Sequence, residues 1–345
     1  MKVLVCDGVA QEGIEILKKE FVVDVAGKLD EAELLKVIGD YDALVVRSAT
    51  KVTKDVVERS KLKVIGRAGV GVDNIDVEAA TKKGIMVVNA PEGNTIAASE
   101  HTIALLTSIA RNIPEAVASI KGGKWERSKF VGVELRGKIL GVVGLGRIGR
   151  EVARKATGLG MSVLAYDPYV IKESAENINI AITDLETVFR ESDFITFHVP
   201  LSESSYHMVS KPQFDMMKDG VILINCARGG ILDENALEKA LVSGKVGGCA
   251  LDVFEHEPPL ESPLIKLSNV IATPHLGAST TEAQINVATD VAKDIVRALH
   301  GEMAKNPVNM IAIKPEEYKE VNPFVELAEK LGSFYVQLRN GRISE

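Results

Sequence analysis

Cysteine is scarce: Cys6, Cys226 and Cys249 are the three in a chain of 345 residues. They are too few and too far apart for a disulfide scaffold or a zinc site, and each lies in or beside an apolar run, where a reduced structural thiol belongs. Basic residues are outnumbered, 41 Lys and Arg against 48 Asp and Glu, and the net charge is -7. The cations are interspersed with acids, which excludes a general basic face for nucleic acid or an anionic membrane. There is no run of roughly eighteen apolar residues and no charged-then-apolar leader, so a cytoplasmic chain is expected. Low complexity is excluded as well. With 46% hydrophobic and 26% charged residues, the length suits two domains of ordinary size, each with its own core.

What the chain has in quantity is alternation. "KVLVCDG", "ALVVRSAT", "LKVIGRAG" and "GIMVVNAPEGN" are strand-like runs that stop at polar or glycine-rich turns, and Ile14 and Leu17 share a helical face between the first two. This predicts a first α/β unit from Met1 to about Gly93. Next, Ile103, Leu106, Ala110, Ile113, Val117 and Ile120 recur at helical steps, with Pro114 expected to kink or interrupt the helix. That helix, with Trp125 just beyond it, suits a domain connector or a subunit interface. From Lys138 six apolar runs follow: "KILGVVGLG", "MSVLAYD", "FITFHVP", "GVILINCA", "VGGCALDVF" and "NVIATPH". Their number fits a doubly wound nucleotide-binding sheet. Thr280 to His300 reads as a closing helix. The expected fold is α/β with two doubly wound parallel-sheet domains, the Rossmann-like one inserted into the other, an arrangement that leaves a cleft for a ligand.

"GVVGLGRIG" places Gly144, Gly146 and Gly149 in the spacing G-x-G-x-x-G, directly after a strand candidate and opening a helix over Arg147 to Ala156. Gly144 suits a tight turn, Gly146 the close approach of a pyrophosphate, and Gly149 the packing of helix on sheet. Arg147 and Ile148 belong to the same cradle, where the helix N-terminus presents free N-H groups to an anion. Asp167 ends the next run, eighteen residues after Gly149. A carboxylate there accepts from a ribose diol and repels the extra phosphate of NADP, which favours NAD. A tight turn beside an unrelated surface Asp is the plainer alternative.

A nicotinamide enzyme also needs a group that trades a proton and positive charge for an anionic substrate. There are six histidines: His101, His198, His207, His256, His275 and His300. His275, after "IATP", is the best placed, since the ends of parallel strands face the ligand crevice. Arg228, in "ARGG" at another strand end, has the planar fork that grips a carboxylate. Glu257, in "LDVFEHEP", suits the ring N-H of His275, fixing its tautomer and raising its proton affinity. From spacing alone, a strand-capping histidine and an arginine in an interdomain salt bridge remain open.

"VVGLGRIG", "NCARGGILDENAL", "ALDVFEHEP" and "TPHLGAST" resemble the cofactor and catalytic signatures of the D-isomer-specific 2-hydroxyacid dehydrogenases, and the similarity runs from about Val3 to about Leu338. "VRSATKVT", "GRAGVGVDNID" and "GKWERSKFVGVEL" resemble most closely those members that oxidise 3-phospho-D-glycerate to 3-phosphohydroxypyruvate with NAD, at the entry to serine biosynthesis. The resemblance implies that Arg228, Glu257 and His275 carry the reaction, with the glutamate next to the proline, not Glu255, as the partner of His275. His256 has no implied role. Asp252 matches a residue near the nicotinamide, while Cys226, Ala227 and Arg228, and His275, Leu276, Gly277 and Ala278, match cofactor-lining segments.

Arg47 and Arg67 match substrate contacts, and Arg127 and Lys129 resemble residues that reach the phosphate end of a neighbouring subunit's site. A homodimer through the NAD-binding domain is implied; no metal is. The implied domains are 1–96 for substrate, 97–288 for NAD, a return segment 289–311, and a tail 312–345 resembling the start of an additional domain in longer members. Val70 and Val199 depart from the family, standing where threonine is common, which puts a cofactor hydrogen bond in question. Two rivals are another D-2-hydroxyacid dehydrogenase, such as a glyoxylate or hydroxypyruvate reductase, and an NAD-sensing corepressor-like module.

Overall fold

Uninterrupted Val, Ile and Leu runs mark strands covered on both faces, the condition of a parallel sheet between helices. The computed structural model describes residues 1–170, 180–310 and 315–340. Within them the chain divides into two units, Met1–Ala90 with Ala288–Glu345, and Pro91–Val287.

The first unit holds β1 (Lys2–Val5), β2 (Val22–Val25), β3 (Ala43–Val46), β4 (Val64–Arg67) and β5 (Met86–Asn89), all parallel in the order β2-β1-β3-β4-β5. Helices α1 (Gln11–Lys18), α2 (Glu31–Val37), α3 (Lys54–Arg59) and α4 (Val77–Lys82) connect them. Leu4, Leu34, Ile38, Leu44, Ile65 and Val87 form one fully covered core. Each such side chain contributes roughly 1.5–3 kcal/mol relative to exposure.

The second unit opens with α5 (Thr95–Ala110) and α6 (Ile113–Lys121), bent by 65°. The break falls at Asn112, whose φ is 50°, and Pro114 lies in the first turn of α6, where its missing N-H costs nothing. The sheet follows: β6 (Ile139–Val143), β7 (Ser162–Tyr166), β8 (Ile180–Ile182), β9 (Phe194–Phe197), β10 (Val221–Asn225), β11 (Val246–Leu251) and β12 (Val270–Ala272). Its helices are α7 (Arg147–Gly158), α8 (Leu185–Glu191), α9 (Lys211–Met216) and α10 (Glu234–Val242). Among the described residues seven strands stand where six were expected. The added β8 has three residues at the sheet edge with Ile180 alone buried, too short to leave an apolar run.

The parallel order β12-β11-β10-β9-β6-β7-β8 reverses between β6 and β9, so the loops after these strands frame the switch point where ligands bind. Helix α7 buries Gly149, Val152, Ala153 and Ala156 and packs against α5, whose Leu105 and Leu106 share one core with Val152, Ala153 and Ala156. Phe189, Phe197 and Phe214 belong to a separate core of the same unit.

Helix α11 (Thr281–Leu299) runs from the second unit into the first, and α12 (Pro315–Asn340) exposes Phe324, Leu331, Phe334 and Tyr335. Residues 311–314 and 341–345 of the tail lie outside the described residues. Among the described residues no single helix is long and apolar enough to cross a membrane. The bent pair α5 and α6 passes that test together, but α5 is largely a core helix, burying Ala97, Ala98, Leu105, Leu106 and Ala110.

Candidate active site

The loop after β6 is built by glycine. Gly144 has φ 95°, and a Cβ there lies 2.6 Å from the carbonyl oxygen of His198. A Cβ on Gly149 lies 2.0 Å from the oxygen of Gly144, so α7 reaches the sheet only with a bare backbone at that position. Beside Gly146 a Cβ meets nothing within 4 Å, and no side chain caps the helix that begins at Arg147. Free N-H groups thus border open space, the fit required of a dinucleotide pyrophosphate. Asp167 Oδ2 accepts from the Leu145 N-H at 2.8 Å and Oδ1 from the Tyr169 N-H at 2.9 Å, so this acid also braces the glycine loop. Each oxygen keeps a lone pair for a ribose hydroxyl. Two braces were not foreseen: Arg150 Nε donates to the Leu145 oxygen at 3.0 Å, and Arg147 Nη2 to Glu92 Oε1 at 3.1 Å.

The loop after β12 carries His275 in the left-handed region, φ 56°, which a non-glycine residue keeps only where its surroundings demand it. The demand comes from Asp252 just after β11, whose side chain is wholly buried. Its Oδ1 accepts from Thr273 Oγ1 at 2.6 Å and the Leu276 N-H at 2.7 Å, and its Oδ2 from the Gly277 N-H at 2.8 Å. The His275 N-H donates to the Asp252 carbonyl at 3.0 Å. Burial pushes the Asp252 carboxyl up, but the bonds from His101, Thr273 and Leu276 outweigh it and hold the group below its ordinary range.

His275 Nδ1 donates to Glu257 Oε2 at 3.0 Å, while Glu257 Oε1 accepts from the Phe254 N-H at 3.2 Å. The bond to Glu257 raises the imidazole above the usual histidine value against the opposing effects of burial and Arg228. Glu257 is held below the usual carboxylate range: burial opposes this, and the hydrogen bond and charge of His275 prevail. With Nδ1 occupied by the carboxylate, Nε2 is the nitrogen left to exchange a proton.

Arg228 follows β10, half-buried, in a turn pinned by the buried Asn225, whose Nδ2 donates to the Arg228 oxygen at 2.9 Å and whose Oδ1 accepts from the Ala227 N-H at 3.0 Å. The arginine loop touches the glutamate loop at Gly229, where a Cβ lies 1.8 Å from the Phe254 oxygen.

Glu255 has other partners: His207 Nε2 at 2.9 Å and the Glu234 N-H at 3.1 Å, while its own N-H donates to Glu234 Oε1 at 2.7 Å. His207, Asp233 and Glu255 bring their donor atoms within 4.8 Å of one another. Each already has a local task, Asp233 capping α10 through the Ala236 N-H and accepting from Ser210 Oγ. Asn225 was missed, and His101 and His207 were named among the histidines without a role, because polar residues inside or after apolar runs carry no periodic signal.

Other candidates fall elsewhere. Arg67 ends β4 in register with Val46, so Arg47, one residue on, neighbours it at the carboxyl edge of the first unit's sheet. Asp7 Oδ2 accepts from the Arg47 N-H at 2.9 Å and Asn74 Nδ2 donates to the Arg47 carbonyl at 2.8 Å. Arg127 and Lys129 lie on a short turn in the second unit, and Lys129 Nζ donates to Glu126 Oε1 at 2.6 Å. Burial pushes the Cys226 thiol up to about 12, which removes it as a nucleophile, and drives His198 down to about 4, so it stays neutral. His256 is exposed, Val199 lies against Gly144, and Val70 gives its carbonyl to Asn89 Nδ2 at 2.6 Å.

Residues 103–277 match the family profile described as "D-isomer specific 2-hydroxyacid dehydrogenase, NAD binding domain". The chain is 51% identical over its full length to D-3-phosphoglycerate dehydrogenase of Methanocaldococcus jannaschii, covering 66% of that protein. It is 52% identical over 96% of its length to the enzyme of the same name from Archaeoglobus fulgidus, covering 64% of it. It therefore spans slightly under two thirds of the length of these relatives. Among solved structures, the TT0316 protein of Thermus thermophilus superposes with a TM-score of 0.83 at 33% identity, over 89% of this chain and 100% of that one. The profile covers the very segment in which the glycine cradle, Arg228, Glu257 and His275 are assembled, and identity continues on either side of it: the chain belongs to the D-isomer-specific 2-hydroxyacid dehydrogenase family.

Proposed function

We propose that this chain catalyses the reversible NAD-dependent oxidation of 3-phospho-D-glycerate to 3-phosphohydroxypyruvate, the first step of serine biosynthesis. The observation that carries the reading is the 3.0 Å contact of His275 Nδ1 with Glu257, in one unit with Arg228 and the glycine cradle. NAD, when bound, would supply the hydride acceptor for C2 of the hydroxy acid. Gly144, Gly146, Arg147, Ile148 and Gly149 would hold its pyrophosphate, Asp167 its ribose, and Cys226 to Arg228 and His275 to Ala278 its nicotinamide end. His275 Nε2 takes the C2 hydroxyl proton during oxidation and returns it during reduction. Glu257 steadies the imidazolium so formed, and the guanidinium of Arg228 grips the carboxylate and polarises the C2 oxygen. Proton transfer of this kind typically contributes about 10²- to 10⁴-fold.

The phosphate is assigned to Arg47 and Arg67 together with Arg127 and Lys129 of a second copy, and its support is the neighbouring position of the first pair and the identity to D-3-phosphoglycerate dehydrogenases. A homodimer through the second unit is part of the proposal. Ile113, Val117, Ile120, Trp125 and Val131 are 48%, 46%, 55%, 78% and 78% exposed, apolar side chains near one another in sequence of the kind a subunit contact covers. A cytoplasmic setting goes with the three free cysteines.

The test is NADH formation from 3-phosphoglycerate, with reduction of phosphohydroxypyruvate and bare hydroxypyruvate compared. Preference for the phosphorylated acid and a loss of at least about 10²-fold in His275→Asn are expected. Equal rates on the two keto acids would move the assignment to another 2-hydroxyacid dehydrogenase.

A further inference from the structure

Helix α5 contributes a histidine that the proposed reaction leaves unused. The side chain of His101 is 18% exposed, and its Nε2 lies 3.1 Å from Asp252 Oδ1 and 3.3 Å from Thr273 Oγ1. A carboxylate has no proton to give, so Nε2 carries the hydrogen and donates to Oδ1. Asp252 is 0% exposed at the side chain, and its described partners are His101, Thr273 Oγ1 and the N-H groups of Leu276 and Gly277. Those two N-H groups follow His275 directly. The same carboxylate therefore closes the turn that holds His275 at φ 56° with its ring against Glu257. A buried carboxylate short of one donor pulls on those that remain or rotates to find another. Two of the donors that remain are the N-H groups of the 275–277 loop, whose Leu276 is itself exposed.

We infer that His101 is a positioning residue for the reaction: by donating to Asp252 it directs that carboxylate at Leu276 and Gly277, and so sets the orientation in which His275 meets Glu257. This rests on the assignment of His275 as proton carrier. His101 acts from behind the loop, through Asp252. The charged groups that face His275 are Glu257, Asp252 and Arg228, and among them Glu257 makes the direct bond, so a shift of the loop registers first in that contact.

The full chain carrying His101→Leu, His101→Gln or His275→Asn tests this. Thermal midpoints establish folding, steady-state assays give kcat and KM, and carbon-edited NMR of labelled histidine follows the titration of His275 without cofactor or substrate. His101→Leu is expected to lower kcat on the order of 10- to 100-fold, the scale of a misplaced catalytic group. The His275 titration moves down as its bond to Glu257 loosens. His101→Gln, whose amide reaches Asp252 as the ring does, restores most of both. Should the Leu variant not fold, His101→Asn, too short to reach Oδ1, replaces it in the comparison with Gln.

Wild-type kcat and an unmoved His275 titration in the Leu or Asn variant overturn the inference, as does equal impairment of the Gln variant, which points to packing. If His275→Asn is inactive while these results hold, the reaction assignment stands and the inference alone falls. If His275→Asn turns over normally, both fall.

Discussion

Glu257 is tied at both carboxylate oxygens, one to the His275 ring and one to the Phe254 N-H, so its negative charge sits where the imidazolium forms. The consequence is a pH dependence. Oxidation needs neutral His275, and Glu257 raises the value at which the ring loses its proton, so oxidation rises with pH through that elevated value. Reduction needs the protonated ring and falls over the same interval. In Glu257→Gln the ring returns toward ordinary histidine behaviour, so both limbs move to lower pH, and the optimal rate drops because the base is weaker. pH profiles of kcat in both directions check this; unmoved limbs would detach Glu257 from the proton transfer. Arg228→Lys keeps the charge and loses the planar fork. We expect kcat/KM for the hydroxy acid to fall about 10- to 100-fold, the loss of a charge-assisted bond of roughly 1.5–3 kcal/mol, while NADH affinity by fluorescence titration changes little.

Elements place these groups through the contacts that glycine allows. In Gly149→Val the new Cβ falls 2.0 Å from the Gly144 oxygen, so α7 must retreat from the sheet and the cradle opens. Weakened NADH binding with a loss of about 1–3 kcal/mol in unfolding free energy is expected, measured by titration and by chemical denaturation. Gly229→Ala places a Cβ 1.8 Å from the Phe254 oxygen and separates the arginine loop from the glutamate loop. It should therefore lower kcat with NADH affinity largely kept, a split that steady-state kinetics resolves. Much at this scale was legible in the residues. The start of α7 at Arg147 follows from glycine spacing, and the break between α5 and α6 from Pro114. Strand β8 was not, because three residues at a sheet edge leave no period to read.

At the scale of the molecule, the apolar residues exposed from Ile113 to Val131 predict self-association. Sedimentation velocity at micromolar concentration should give a dimer, and Trp125→Glu, at 78% exposure, should shift it toward monomer with little change in unfolding free energy. A monomer for the unaltered chain removes Arg127 and Lys129 from the proposed phosphate site of a second copy. Most of the elements and their order were legible in the sequence, because apolar period and turn residues act within a few residues of one another; the short strands β2 and β8 were not. The family was legible too, through motifs spread along the chain. Tertiary structure alone decided the finer pairing of Glu255, which meets His207 from 48 residues away, whereas the pairing of Glu257 with His275 across 18 residues was already implied by the family motifs. Partners brought together at the ends of parallel strands are selected by how the strands are ordered and how closely their loops approach, and no local pattern carries that information.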